Sequence, residues 1–313
     1  METYSKSVKS EILKNVRNSK GCCATSFLTA VLKSAGSLSL TVGGFAFAIE
    51  SDNLDFVTIC KSLALQIGVD AEIDKVGTNK KGEPIYCCTF DKSLGDKLSI
   101  IQRDDEGALV LADVDAIMPV GPCCRRSFLQ GVFVASGSVV IPQNDDLQES
   151  AADKAKYHLE LRLTDENFAN KLNSEYAELQ FRVAERKNHK LLYLKDSESV
   201  ADFLVFVNAT SSMLKLENVV AVRSYRNREN RRMNCTMANI DKTVVASAKQ
   251  LKAIDLIRSK GLYDGLPDTL KDIIALREKY PEASLDEIAD MLNISKSGAN
   301  HRFAKLIEIA QSN

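Results

Sequence analysis

The amino-acid sequence predicts an α+β domain built by internal duplication, followed by an all-α C-terminal domain. Three observations carry this expectation. The stretch CCATSFLTAVLKSAGSLSL, beginning at Cys22, returns as CCRRSFLQGVFVASGSVVI from Cys123, with identities at both cysteines, Ser26/Ser127, Phe27/Phe128, Leu28/Leu129, Val31/Val132, Gly36/Gly137 and Ser37/Ser138. Each copy is followed by the same succession of helix-period and strand-period segments. Beyond residue 215 the alternation stops and the chain continues with helical spacing.

Taken in order, the N-terminal METYSKSVKSEILKN is polar and helical in character, with no apolar signal core. The apolar run from Leu38 to Ile49 is too short and too interrupted to span a bilayer, so a cytoplasmic protein with no membrane partner is expected. In the first repeated helix, Phe27, Leu28, Val31 and Leu32 form a bulky stripe beside a small pair, Ala30 and Ser34. The second copy offers Gly131 and Ala135 at the same places. Small residues one turn apart let two helix backbones approach closely, as two copies facing each other across a pseudo-twofold axis require.

After the first helix come SLSLTV and FAFAIE, joined at Gly43-Gly44, then a helix NLDFVTICKSLALQIGV, strands AEIDKV and PIYCCTF, and a helix around KSLGDKLSII. After the second come SVVI, a polar insertion from Pro142 to Lys156, the strand YHLELRL, the helix DENFANKLNSEYAEL, strands FRVAERK and KLLYLK, and the helix SESVADFLVFVNA. The insertion reads as a disordered surface loop. Each half is αββαββα, and the repeats, about 22–115 and 123–210, make up a first domain over 1–215.

Six of the eight cysteines are adjacent pairs, Cys22-Cys23, Cys87-Cys88 and Cys123-Cys124. Neighbouring residues rarely have the geometry to bridge each other. With no C-x-x-C, and with His158, His189 and His301 scattered, the spacing gives no zinc pattern, and no cofactor or metal is expected. Reduced cysteines filling a helix–helix contact are the expected role, with a redox or metal role as the alternative.

Residues 216–313 hold 16 lysines and arginines against 13 acids, whereas residues 1–215 hold 25 against 29. The C-terminal third is therefore the part suited to a polyanion. Its basic residues concentrate in RSYRNRENRRMNCTMANIDKT, within a helical linker expected over 216–262. There Asn227, Asn230 and Asn234 share one helix face. Asparagine is a poor helix former, so such a stripe asks for hydrogen-bonding partners: phosphates, bases or a buried network. A solvated basic helix is the alternative.

The last domain, 263–313, reads as a helix-turn-helix. LPDTLKDIIALREKYP is a helix ended by Pro281, SLDEIADML opens with a capping box of Ser284 and Glu287, and KSGANHRFAKLIEIAQ is capped by Ser295. Asn293 occupies the turn, where a left-handed conformation is demanded. In helix-turn-helix docking the first turns of the second helix enter the major groove of double-stranded DNA. Lys296, Ser297 and Asn300 would face base edges, while His301, Arg302 and Lys305 lie further along. Arg302 and Lys305 are better placed for the phosphate backbone, Arg302 with reach to a guanine, and Ser284 is placed for a phosphate. Arg226, Arg228, Arg231 and Arg232 of the linker are expected to contact phosphates.

Leu129 to Gly137 resembles a worn LAGLIDADG motif, the paired interface helix of homing endonucleases, and Leu28 to Gly36 is a fainter version. The resemblance implies that fold. In those enzymes each motif helix delivers a carboxylate at its eighth position, where divalent ions are held for phosphodiester cleavage. Here those positions are Ala35 and Ser136, and the sixth positions are Lys33 and Val134. Together with the CCRR run, the Asn/Arg linker and the ending NISKSGANHR, the whole arrangement resembles the WhiA family of sporulation transcription regulators. One departure is Ala24-Thr25 in the first repeat, where the second has Arg125-Arg126. The resemblance implies a bacterial, nucleoid-associated DNA-binding protein, not an enzyme, acting at promoters of development, cell-division or chromosome-segregation genes, with the transcription machinery or another regulator as further partners. An active endonuclease with acids supplied from elsewhere and a protein–protein adaptor in cell division are the alternatives.

Overall fold

The computed structural model describes residues 3–19, 21–41, 44–103, 106, 109–142 and 157–312. The polar insertion expected to be a disordered loop lies outside them beyond Pro142. The chain forms two compact units, Met1–Val222 and Arg223–Asn313.

In the first unit, α1 (Tyr4–Val16) is capped by the Thr3 hydroxyl and buries Val8, Ile12, Leu13 and Val16, one stripe of a helix. The repeated helices are α2 (Cys22–Ala35) and α5 (Pro122–Ser136). After α2 come β1 (Gly36–Thr41), β2 (Gly44–Ser51), α3 (Leu54–Gln66), β3 (Ala71–Thr78), β4 (Pro84–Phe90) and the short α4 (Ser93–Lys97). After α5 come β7 (Gly137–Val140), β8 (His158–Leu163), α6 (Glu166–Glu175), β9 (Arg182–Arg186), β10 (His189–Leu194) and α7 (Ser197–Phe206). Both halves are αββαββα, as the sequence predicts.

The sheets make the duplication visible. One is antiparallel in the order β1-β2-β4-β3 and the other in the equivalent order β7-β8-β10-β9. Equivalent caps repeat as well: Asn53 accepts from the Phe56 amide at 3.2 Å, and Asp165 from that of Phe168 at 3.0 Å. Each repeated helix turns straight into a strand at a glycine. A β-carbon on Gly36 would stand 2.5 Å from the Leu32 carbonyl oxygen, and one on Gly137 2.7 Å from that of Phe133. Close passage of the strand over the helix's last turn therefore excludes a side chain at both places.

One expected element is shorter than its sequence pattern. The helix around KSLGDKLSII closes after a turn and a half, and Ile101 enters a separate hairpin of β5 (Ile101–Arg103) and β6 (Leu109–Leu111). Ser99 adopts φ +56, which ends the helix. The apolar positions of that run are met by burying Leu94, Leu98 and Ile100 in the common core, without a continuous helix.

From Thr210 to Ser259 the chain is one helix of 50 residues, α8. The boundary between the two units falls within it, seven residues beyond the expected end of the first domain at 215. Its start is capped by a distant residue. The Glu11 carboxylate accepts from the Ser211 amide at 2.7 Å, the Ser212 amide at 2.9 Å and the Ser212 hydroxyl at 2.7 Å. Negative charge at a helix N-terminus is favourable and satisfies amides that have no partner within the helix. The second unit continues with α9 (Asp268–Lys279), α10 (Leu285–Met291) and α11 (Lys296–Ser312), around a core of Ile254, Ile257, Leu270, Ile273, Ile274, Ile288, Phe303 and Leu306. Among the described residues no helix is long and apolar enough to cross a membrane.

Candidate nucleic-acid interface and the acid-free motif helices

The two motif helices pack backbone to backbone. Ala30 is fully buried, and a β-carbon on Gly131 would lie 2.5 Å from the Phe27 carbonyl oxygen and 2.9 Å from the Ala30 methyl. Of the small residues read from the sequence, Gly131 and Ala30 therefore meet at this seam. Phe27, Leu28 and Val31 of α2, with Phe128, Leu129, Val132 and Phe133 of α5, carry the core on either side.

At the C-terminal ends of these helices, Ser136 donates its hydroxyl back to the Val132 carbonyl at 3.0 Å, and Ala35 offers a methyl group. The sixth position of the first motif, Lys33, is paired with Asp165 at 3.2 Å, and that of the second, Val134, is buried. Divalent ions for phosphodiester cleavage need anionic oxygen ligands at this junction. Among the described residues, the one group of three or more histidines, cysteines and acids close enough to share a metal sits at the other ends of the helices: Cys22, Cys23, Cys123 and Cys124. Sequence spacing missed this grouping because each pair looks unremarkable alone. The signal was in the duplication, since a pseudo-twofold axis brings equivalent residues of two paired helices together.

The Arg125-Arg126 pair that distinguishes the second repeat ties helix ends within its own half. Arg125 donates to the Glu175 carbonyl at 2.6 Å and to the Glu178 carboxylate at 2.5 Å, and stacks 4.9 Å from the Tyr176 ring centre. Arg126 donates to the Phe206 carbonyl at 3.2 Å. Both cations bind the C-terminal ends of neighbouring helices, where carbonyls lack partners within the helix. In the first repeat the equivalent of Arg125 is the fully buried Ala24.

The helix-turn-helix is built as its sequence signals require. Ser284 and Glu287 form a reciprocal capping box at the start of α10. Asn293 takes φ +49, and the turn closes with the Ile294 amide donating to the Ala289 carbonyl at 3.0 Å. Ser295 caps α11 by accepting from the Gly298 amide at 3.1 Å. Ala299, Phe303, Leu306 and Ala310 are buried, and Ala299 joins Ala289 in the core of the second unit. A buried cation that sequence reasoning overlooked locks the loop before α10. Arg277 is 2% exposed and donates through Nη1 to the carbonyls of Tyr280, Pro281 and Ala283, with its guanidinium 5.2 Å from the Phe303 ring centre.

That core fixes which residues of α11 remain outside. Ser297, Asn300, His301 and Lys305 are exposed, as is Lys296, whose ammonium pairs with Asp286 of α10 at 2.6 Å. Half-buried Arg302 leans towards α9, donating to the Thr269 carbonyl at 3.3 Å. Ser284 is half-buried, its amide taken by the Glu287 carboxylate at 2.7 Å. Lys296, Ser297, Asn300, His301 and Lys305 thus share one surface, whereas Arg302 and Ser284 are engaged within the fold. On α8, Arg226, Arg228, Arg231 and Arg232 are all exposed, and Arg228 lies 5.5 Å from the Tyr225 ring centre. Asn227, Asn230 and Asn234 are also exposed, so of the expected roles for that stripe a buried network is the one the fold does not build.

The charges divide unevenly within this unit. Residues 223–262 carry ten lysines and arginines against three acids, and residues 263–313 six against nine. Positive potential therefore belongs to α8, and shape and hydrogen-bonding groups to α11.

These features define a helix-turn-helix protein carrying a duplicated LAGLIDADG-like domain whose motif helices end without acids. The chain matches the WhiA LAGLIDADG-like domain over residues 24–106 and 125–226, and the WhiA C-terminal HTH domain over residues 230–310. It is 36% identical over 295 residues to the "Probable cell division protein WhiA" of Staphylococcus haemolyticus, covering 90% of this chain and 89% of that one. It is 33% identical over 323 residues to the protein of the same name from Clostridium botulinum, covering 98% of each. A crystal structure of full-length DUF199/WhiA from Thermotoga maritima shares the fold, with a TM-score of 0.57 at 21% identity over 99% of this chain and 98% of the other. The chain belongs to the WhiA family.

Proposed function

We propose that this protein is a sequence-specific, double-stranded-DNA-binding transcription regulator that does not cut DNA. The observation that carries the reading is the exposed face of α11, with Ser297, Asn300, His301 and Lys305 on a helix held by a rigid turn. Asparagine presents a donor and an acceptor side by side, the pattern that pairs with adenine in the major groove. Lys296 reaches a base only by exchanging Asp286, so its contribution is conditional on DNA replacing that partner. Lys305 lies towards the phosphate backbone, Arg302 joins it only by giving up the Thr269 carbonyl, and Ser284 contacts a phosphate only if its capping glutamate yields.

Residues 216–262 act as a basic arm. Arg226, Arg228, Arg231 and Arg232 neutralise phosphates and supply affinity that the acidic 263–313 segment lacks. The first domain, 1–215, is then a scaffold or partner platform, since Ala35 and Ser136 cannot hold divalent ions at the motif ends. Relatives carry the name cell division protein, and we place the regulated genes among those for cell division, chromosome segregation or sporulation, with the protein on the cytoplasmic nucleoid. Genome-wide crosslinking and sequencing tests this: enrichment at promoters sharing one sequence is expected, and uniform occupancy contradicts it. Incubation of supercoiled plasmid with the protein and magnesium or manganese should leave it intact. Nicking abolished by a substitution in α2 or α5 contradicts the inactive scaffold.

A second reading is favoured by the acids Asp286, Glu287 and Asp290 on exposed positions of α10. In it the helix-turn-helix contacts a basic surface of the transcription machinery or of a division protein. Its sign is DNA affinity near zero at all salt concentrations, with retention of such a partner.

A further inference from the structure

We propose that Cys22, Cys23, Cys123 and Cys124 form a tetrathiolate site for a soft divalent metal ion of the zinc class, on the pseudo-twofold axis of the duplicated domain. The four sulfur atoms all lie within 4.8 Å of one another, and Cys123 and Cys124 are 3.9 Å apart. Tetrahedral zinc with bonds of about 2.3 Å sets its sulfurs about 3.8 Å apart, so closure needs movements of ~1 Å or less. Side-chain rotation can supply these, because Cys22 and Cys123 are exposed and Cys23 and Cys124 half-buried.

The ligand set is the soft, four-sulfur kind that selects zinc over magnesium or calcium. Its surroundings suit the charge it would carry. A divalent ion with four thiolates has a net charge of −2, formed as each thiol gives up its proton to solvent and its sulfur lone pair to the metal. Both α2 and α5 begin at this point with their positive ends towards it. Gly21 and Gly121 in the capping positions provide no side-chain acceptor, and neither first turn contains an acid. Two helix N-termini therefore favour the anionic cluster from the two halves together.

The consequence is structural. The Gly131 contact joins the two halves at the middle of the motif helices, and the metal joins them again at the N-terminal ends, across 101 residues of chain. Metal binding to the folded form alone adds directly to its stability. The chemical rival is a disulfide between the repeats, which uses the same proximity and an external oxidant.

The test uses the full-length chain, reduced, freed of metal with a chelator and titrated anaerobically with cobalt(II). One equivalent should produce tetrahedral d–d bands and thiolate-to-cobalt charge transfer, with a sulfur count of four by X-ray absorption. One equivalent of zinc should bleach both and raise the melting temperature. The double variant Cys22→Ser, Cys123→Ser should lose the bands while keeping the circular dichroism of the parent, and Cys235→Ser, exposed on α8, should retain them. A fully reduced protein that gives no tetrahedral cobalt spectrum overturns the proposal, whatever the serine variants do. So does a disulfide between the repeats, found by peptide mapping, in a protein that binds no cobalt after reduction.

Discussion

Gly131 of the second motif helix lies directly against the Phe27 carbonyl of the first, close enough that a single added carbon would stand 2.5 Å from that oxygen. The contact is between backbones, so neither side can yield by turning a side chain. It explains why the repeat keeps small residues at these places.

Replacing Gly131 should consequently be costly. Gly131→Leu overpacks the seam and is expected to destabilise the first unit by about 1–3 kcal/mol or more. Thermal and urea denaturation measure it. A melting temperature equal to that of the parent would remove this helix pairing from the account.

Glu11 gives the first unit an acid-sensitive fastening. Burial pulls its carboxyl upward, but the Ser212 hydroxyl and the Ser211 and Ser212 amides outweigh that and hold it below the usual glutamate range. A group depressed in the folded state contributes stability above its unfolded value of about 4.3, lost as pH falls through the lower folded value. Glu11→Gln should cost about 1 kcal/mol at neutral pH, a capping contribution already reduced by solvent screening. The deficit should narrow as pH drops below about 4. Urea titrations at several pH values check this, and a deficit constant with pH would assign the loss to packing.

Much of this molecule was legible because its signals are local. The capping box of Ser284 and Glu287, Asn293 in its left-handed turn and the small residues Ala30 and Gly131 between the motif helices all follow from residue chemistry at fixed spacing. What was hidden depends on the third dimension. Arg277 reads as an ordinary helix cation until the chain past Pro281 folds over it, and the Lys296–Asp286 pair crosses the turn between two helices. The left-handed Ser99 beyond the end of α4 and the hairpin that follows were equally invisible. A continuous helix would carry Leu94, Leu98 and Ile101 on one face, whereas the broken run buries Leu94, Leu98 and Ile100 and sends Ile101 into the hairpin. The arginines of the CCRR run carried no role in the sequence, and only the positions of Glu175, Tyr176 and Phe206 show that they tie neighbouring helix ends.

The charge division along the second unit makes a prediction about salt. Arg231→Ala with Arg232→Ala should reduce the slope of log affinity against log salt by about two, weakening operator and random DNA alike. Fluorescence anisotropy on both duplexes over a salt series measures it. An unchanged slope with altered base preference would move these arginines into base readout.

The most direct test of the central claim sets Asn300 against Lys305 on operator and scrambled duplexes at two salt concentrations. Asn300→Ala should lose about 1–3 kcal/mol on the operator and little on scrambled DNA, because a base-edge contact exists only on the right sequence. Lys305→Ala should weaken both duplexes equally. Equal losses on the two DNAs for Asn300→Ala, or no measurable binding to either duplex by the parent protein, would contradict the assignment of α11 as the helix that reads sequence.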